Sequence, residues 1–143
     1  MRPTDENRNN KRCAFDVFIS GGVMAQILIV DDSPTETHKM ATILGKLGHD
    51  VITAENGEDG VAKAKESLPD LVLMDIVMPG LNGFQATRQL SKNASTSHIP
   101  VIIVTTKDQA TDRLWGERQG AKGYLTKPID VKALISAISD VLD

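Results

Sequence analysis

Three runs of four apolar residues, Ile27–Val30, Leu71–Met74 and Val101–Val104, each stop at a residue that can handle metal or phosphate. They end on Asp31-Asp32, on Asp75 and on Thr105 respectively. Runs without polar alternation, separated by stretches of helical period, are the mark of parallel strands buried on both faces. Ligands of such sheets bind outside the carboxyl ends of the strands. The three runs therefore bring three carboxylates and a hydroxyl to one edge, and Lys127 follows a fourth, shorter run.

The intervening segments complete the alternation. Ser33-Pro34-Thr35-Glu36 spells a helix start, with serine as cap, proline in the first turn and glutamate where a capping box wants it. Met40, Ala41, Leu44 and Leu47 recur at helical spacing before Gly48. Val51–Ala54 reads as a strand and Gly57–Ser67 as a helix. After Asp75 the loop from Ile76 to Gly83 is dense in turn formers. Phe84, Thr87 and Leu90 mark a third helix, Asp108–Gln119 a fourth, and Gly123–Thr126 a last short strand. Val131, Leu134, Ile135, Ile138, Val141 and Leu142 give the clearest amphipathic helix. Five strands alternating with five helices, joined by right-handed crossovers, imply an α/β fold: a doubly wound, five-stranded parallel sheet in the order 2-1-3-4-5, a flavodoxin-like three-layer sandwich.

Composition narrows the function. A chain of 143 residues holds one domain of ordinary size. Its net charge of −3, with both signs interspersed, argues against a nucleic-acid surface. No apolar stretch reaches the roughly 20 residues that a membrane span needs, so no membrane insertion is expected. The single cysteine, Cys13, excludes an internal disulfide framework and fits a reducing cytoplasm. Residues 1–23 read as a disordered N-terminal extension: Arg2–Arg12 is polar, and Asp16 and Gly21-Gly22 interrupt the mildly apolar remainder. Residues 24–143 form the domain.

Asp31, Asp32 and Asp75 are the chemical centre of this reading. Carboxylates on neighbouring strands repel, and a hard divalent cation, magnesium above all, relieves them. One oxygen of Asp75 would remain free to attack phosphorus. The cation, the Lys127 ammonium and the Thr105 hydroxyl would neutralise the transferred group. Each of these residues alone has an ordinary reading as a turn former, a cap or a strand end. Their joint placement at the ends of different strands carries the argument.

Val30-Asp31-Asp32-Ser33, Leu73–Gly80, Thr105 and Tyr124-Leu125-Thr126-Lys127-Pro128 resemble the receiver domain of two-component response regulators, the CheY-like family. The resemblance implies that Asp75 is the phosphoacceptor of a histidine kinase. It implies magnesium held by Asp32, Asp75 and the Val77 backbone carbonyl, with Asp31 acting through water. Thr105 and Lys127 would contact the phosphoryl group, and the Lys127–Pro128 peptide would be cis. Thr105 and Tyr124 would form a switch that reshapes the face of the fourth helix, fifth strand and fifth helix for a downstream protein partner. Val77 and Lys107 lie where the family tunes the lifetime of the phosphate.

Phe84–Leu90, Val104–Gln109 and Leu114-Trp115-Gly116 look more narrowly like the stand-alone PilH-type receivers of type IV pilus twitching motility systems. That likeness implies a chemotaxis-like phosphorelay with a CheA-like kinase as phosphodonor. Trp115 is read as a residue packed beside Gly116, with a partner anchor as the other reading. Within the signalling role the protein is either an output regulator or a phosphate sink for the kinase. The enzymatic alternative is a small phosphohydrolase with Asp75 as nucleophile. Such enzymes pair the nucleophile with an acid two residues on, where this chain has Val77.

Overall fold

The computed structural model describes residues 25–78, 80–106 and 110–142. Residues 1–23 of the expected extension, and Lys107, lie outside them. The chain alternates β1 (Gln26–Val30), α1 (Pro34–Lys46), β2 (Asp50–Ala54), α2 (Gly57–Ser67), β3 (Leu71–Met74), α3 (Gly83–Lys92), β4 (Val101–Thr105), α4 (Ala110–Arg118), β5 (Gly123–Thr126) and α5 (Val131–Leu142). The strands are all parallel and stand in the order β2-β1-β3-β4-β5. This is the doubly wound α/β arrangement that the apolar runs imply.

Every residue of β3 and β4 is buried, which explains why these runs show no polar alternation. The period of two survives in which layer each side chain joins. Leu28, Val30, Val72, Met74, Val101 and Ile103 pack on one face with Val61 and Ala64 of α2 and Ala86 and Leu90 of α3. Ile27, Ile29, Leu71, Leu73, Ile102 and Val104 pack on the other with Met40 and Leu44 of α1 and Leu134 and Ile138 of α5. Fully burying one such side chain is worth about 1.5–3 kcal/mol, so β1, β3 and β4 form a stiff platform for whatever follows them.

The ladder runs one step beyond the strands. Asp75 N–H donates to the Val30 carbonyl at 2.9 Å, Asp31 N–H to Ala54 at 3.1 Å, and Lys127 N–H to Thr105 at 2.8 Å. These bonds fix the backbone of the polar residues at the sheet edge. The Lys127–Pro128 peptide is cis.

At the start of α1, Ser33 accepts from the Glu36 N–H at 3.4 Å, and Pro34 occupies the first turn. The other half of the expected capping box does not form. The Ser33 N–H that Glu36 would have bound already donates to Asp31 Oδ1 at 2.9 Å. A reciprocal box forms instead at α3. There Asn82 accepts from the Gln85 N–H and Gln85 from the Asn82 N–H, both at 3.0 Å.

Candidate functional site

The carboxyl ends of β1 and β3 are neighbours, paired Val30 to Met74, so Asp31, Asp32 and Asp75 converge. Each offers an oxygen within 4.8 Å of the others. Asp31 and Asp75 are buried and Asp32 is exposed. The cluster therefore has two fixed walls and one side open to solvent. Hard oxygen donors at this spacing suit a small divalent cation that keeps part of its water shell.

Lys127, delivered by the end of β5, enters from the opposite flank. Its Nζ donates to Asp31 Oδ2 at 2.7 Å and stands 3.6 Å from Asp75 Oδ2. Burial alone would lower the lysine, but the Asp31 hydrogen bond and the charges of Asp75, Asp31 and Glu36 outweigh it and hold the ammonium above its usual value. The sequence reading gave Lys127 to phosphate. The ion pair with Asp31, 96 residues away, was not legible there.

Asp75 carries the strongest tension in the site. Its Oδ1 accepts the Ile76 N–H at 2.9 Å, which fixes the carboxylate plane. Burial pushes its carboxyl from 3.8 up to about 6. Asp31 and Asp32 push in the same direction, against Lys127 and the Ile76 hydrogen bond. The group is therefore mostly ionised at neutral pH yet poorly neutralised, which suits a nucleophile that awaits a cation.

Thr105 is fully buried at the end of β4. Tyr124, partly buried against the same layer as α2 and α3, is registered with Ile103, two residues before Thr105. Val77 follows Asp75 on the loop, with an exposed side chain. Trp115 is 48% exposed, contrary to the packed placement read from its neighbour. Gly116 is the buried residue of that pair. It faces Ile103, Phe84 and Tyr124, and Trp115, the next residue round the helix, is left outward.

Sequence reasoning missed Gly83 as a site residue. Its N–H donates to the Ile76 carbonyl at 3.0 Å. A Cβ there would collide with the Asp75 carbonyl oxygen and stand 2.7 Å from Ile76 Cα. Only glycine lets α3 press against the backbone that carries Asp75. The sequence signalled a turn former at this position, but the close approach is tertiary.

The response regulator receiver domain model matches residues 27–139. The chain is 68% identical over 119 residues to Protein PilH of Pseudomonas aeruginosa, covering 83% of this chain and 98% of that protein. It is 37% identical over 114 residues to Protein PilG of the same organism, covering 79% of this chain and 84% of that one. Among solved structures, the chemotaxis protein CheY4 of Vibrio cholerae matches with a TM-score of 0.79 at 29% identity, covering 84% of this chain and all of the other.

Proposed function

The chain belongs to the response regulator receiver family, and on that premise we propose that Asp75 takes a phosphoryl group from a CheA-like histidine kinase and so switches a protein-docking face. The observation that carries this reading is the buried, under-neutralised Asp75 carboxylate at the end of β3, facing Asp31, Asp32 and Lys127.

In the proposed step an Asp75 oxygen bonds to phosphorus while the bond from phosphorus to the donor imidazole breaks, and the electron pair returns to that nitrogen. Asp32, Asp75 and the Val77 carbonyl would hold magnesium, with Asp31 assisting through water; when bound, the ion neutralises charge on the transferred group. The Ile76 N–H keeps the carboxylate aimed during the transfer. The Lys127 ammonium swings from Asp31 towards the phosphoryl oxygens, and the Thr105 hydroxyl contacts the same group. Tyr124 follows Thr105, and the face of α4, β5 and α5 changes. Val77 and Lys107 set how long the acyl phosphate survives. Exposed Leu114 on α4 and Val131 and Ile135 on α5 support a docking role for that face.

Similarity to PilH and PilG supports a place in pilus or twitching-motility control. We assign the receiver domain to residues 24–143 and the protein to the cytoplasm as a phosphoacceptor signalling protein. Among the described residues, no helix is long and apolar enough to cross a membrane. The test is labelling by phosphorylated kinase in magnesium. The parent should label in a base-labile bond and Asp75→Asn should not. Undiminished labelling of the variant would remove Asp75 from the role.

A further inference from the structure

Helix α4 has two flanks. Glu117, Lys122 and Tyr124 lie on the side towards β5, within the face assigned to switching. The other flank borders α3 across a groove of about 550 Å³. Ile76 and Phe84 supply its apolar surface, Trp115 stands on the α4 wall, and Gln85, Arg88 and Gln119 bring polar groups.

Three features mark the groove as a binding surface rather than a packing defect. Trp115, the chain's single tryptophan, leaves half its surface in water. Solvent-facing tryptophan over an apolar floor is typical of interface anchors. Arg88 is exposed, and among the described residues no ion pair engages it. It is also the one charged residue in the described lining. The Gln85 side-chain oxygen is taken by the Asn82 N–H, so its amide is held at the rim by the α3 capping box. Apolar floor, aromatic wall and one cation with no acidic residue beside it in the described lining define the complementary chemistry: an apolar anchor next to a carboxylate. The groove is open along one side, which favours a chain segment over a small molecule that must be enclosed.

We propose that the α3–α4 groove docks an acidic peptide segment of a partner protein, with a large apolar side chain against Trp115 and Phe84 and a carboxylate on Arg88. This is a second docking surface, on the opposite flank of α4 from the switch face, so one chain can hold two partners. It needs no phosphate, and the experiment uses Asp75→Asn alongside the parent to keep the two questions apart.

Phage-displayed random short peptides are selected on the full chain and counter-selected on Arg88→Glu. The recovered peptides should combine Asp or Glu with Phe, Leu or Trp, bind parent and Asp75→Asn alike, and shift Trp115 emission to the blue. Affinity should fall at least about tenfold on Arg88→Glu and on Trp115→Ala, and Arg88→Gln should show an intermediate loss. Circular dichroism and melting of the variants check that the fold is kept, which the exposure of both side chains leads us to expect. Basic or uncharged binders, binders indifferent to the substitutions at Arg88 and Trp115, or no binders at all would overturn the proposal.

Discussion

Replacing Asp75 by asparagine should make the protein more stable at neutral pH, by an amount that the site itself sets. The Asp75 carboxyl lies at about 6 in the folded chain against an ordinary 3.8. A gap of about two units corresponds to about 3 kcal/mol between the two protonation states. That is the cost of keeping Asp75 ionised in the fold, after the attraction of Lys127 has been counted. Asparagine keeps the shape and can still accept the Ile76 N–H, but carries no charge. The expected gain is about 2–3 kcal/mol at about pH 7.5 without magnesium, or about 10 °C in Tm for a domain of this size. The sign follows from proton counting. Between 3.8 and about 6 the folded chain holds a proton that the unfolded chain has released, so parental stability falls as pH rises through that window and levels off above it. The gap between variant and parent should therefore be small near about pH 4 and full above about pH 6.5. His49, lowered by burial and accepting the Ala25 N–H at 3.0 Å, destabilises both proteins equally on the acid side and drops out of the difference. Denaturant unfolding at stepped pH in a chelator measures it. A gap that does not change with pH, or a variant less stable than the parent at about pH 7.5, refutes the reasoning.

Two further outcomes follow from the same geometry. Magnesium affinity, measured by calorimetry, should weaken as pH drops below about 6, approaching tenfold per unit, because protons compete for Asp75; a flat profile would mean that Asp75 is not among the ligands. Gly83→Ala should cost about 2–3 kcal/mol and slow labelling by the kinase, since its Cβ meets the backbone of Asp75 and Ile76. A variant with parental stability and labelling rate would show that α3 can move aside freely.

The sheet was legible because burial on both faces of β1, β3 and β4 leaves the unbroken apolar runs Ile27–Val30, Leu71–Met74 and Val101–Val104 to read. The carboxylate cluster was legible for a related reason: strands that end together put their next residues together, so Asp31, Asp32 and Asp75 came as a set. What escaped was decided by competition among neighbours. Ser33 and Glu36 spell a capping box, yet Asp31 Oδ1 takes the donor first. Asn82 and Gln85 form a real box with the same spacing, across the boundary between the stretch read as a loop and the third helix. Trp115 and Gly116 show the limit of adjacency, because the helix puts the glycine on the buried side and its neighbour on the exposed one. The pairing of Lys127 with Asp31 depends on where β5 ends relative to β1, which no local pattern states.

That pairing explains how a site can be both stable and poised. Three carboxylates face one ammonium. At 3.6 Å and an effective dielectric of about 20, Lys127 attracts an ionised Asp75 by about 4–5 kcal/mol. Burial and the flanking carboxylates still win, leaving the Asp75 carboxyl raised to about 6. One lysine therefore holds the pocket together without neutralising it, and further positive charge binds favourably. In the proposed function, a divalent cation held by the carboxylates would offset the like charges that Lys127 now balances, and a phosphoryl group on Asp75 would offer the ammonium a second anion. The Lys127 backbone N–H is bonded to the Thr105 carbonyl, which ties the root of that side chain to the junction of β4 and β5. Were Lys127 to change partner as proposed, the backbone that carries it is already tied to the strand that ends in Thr105.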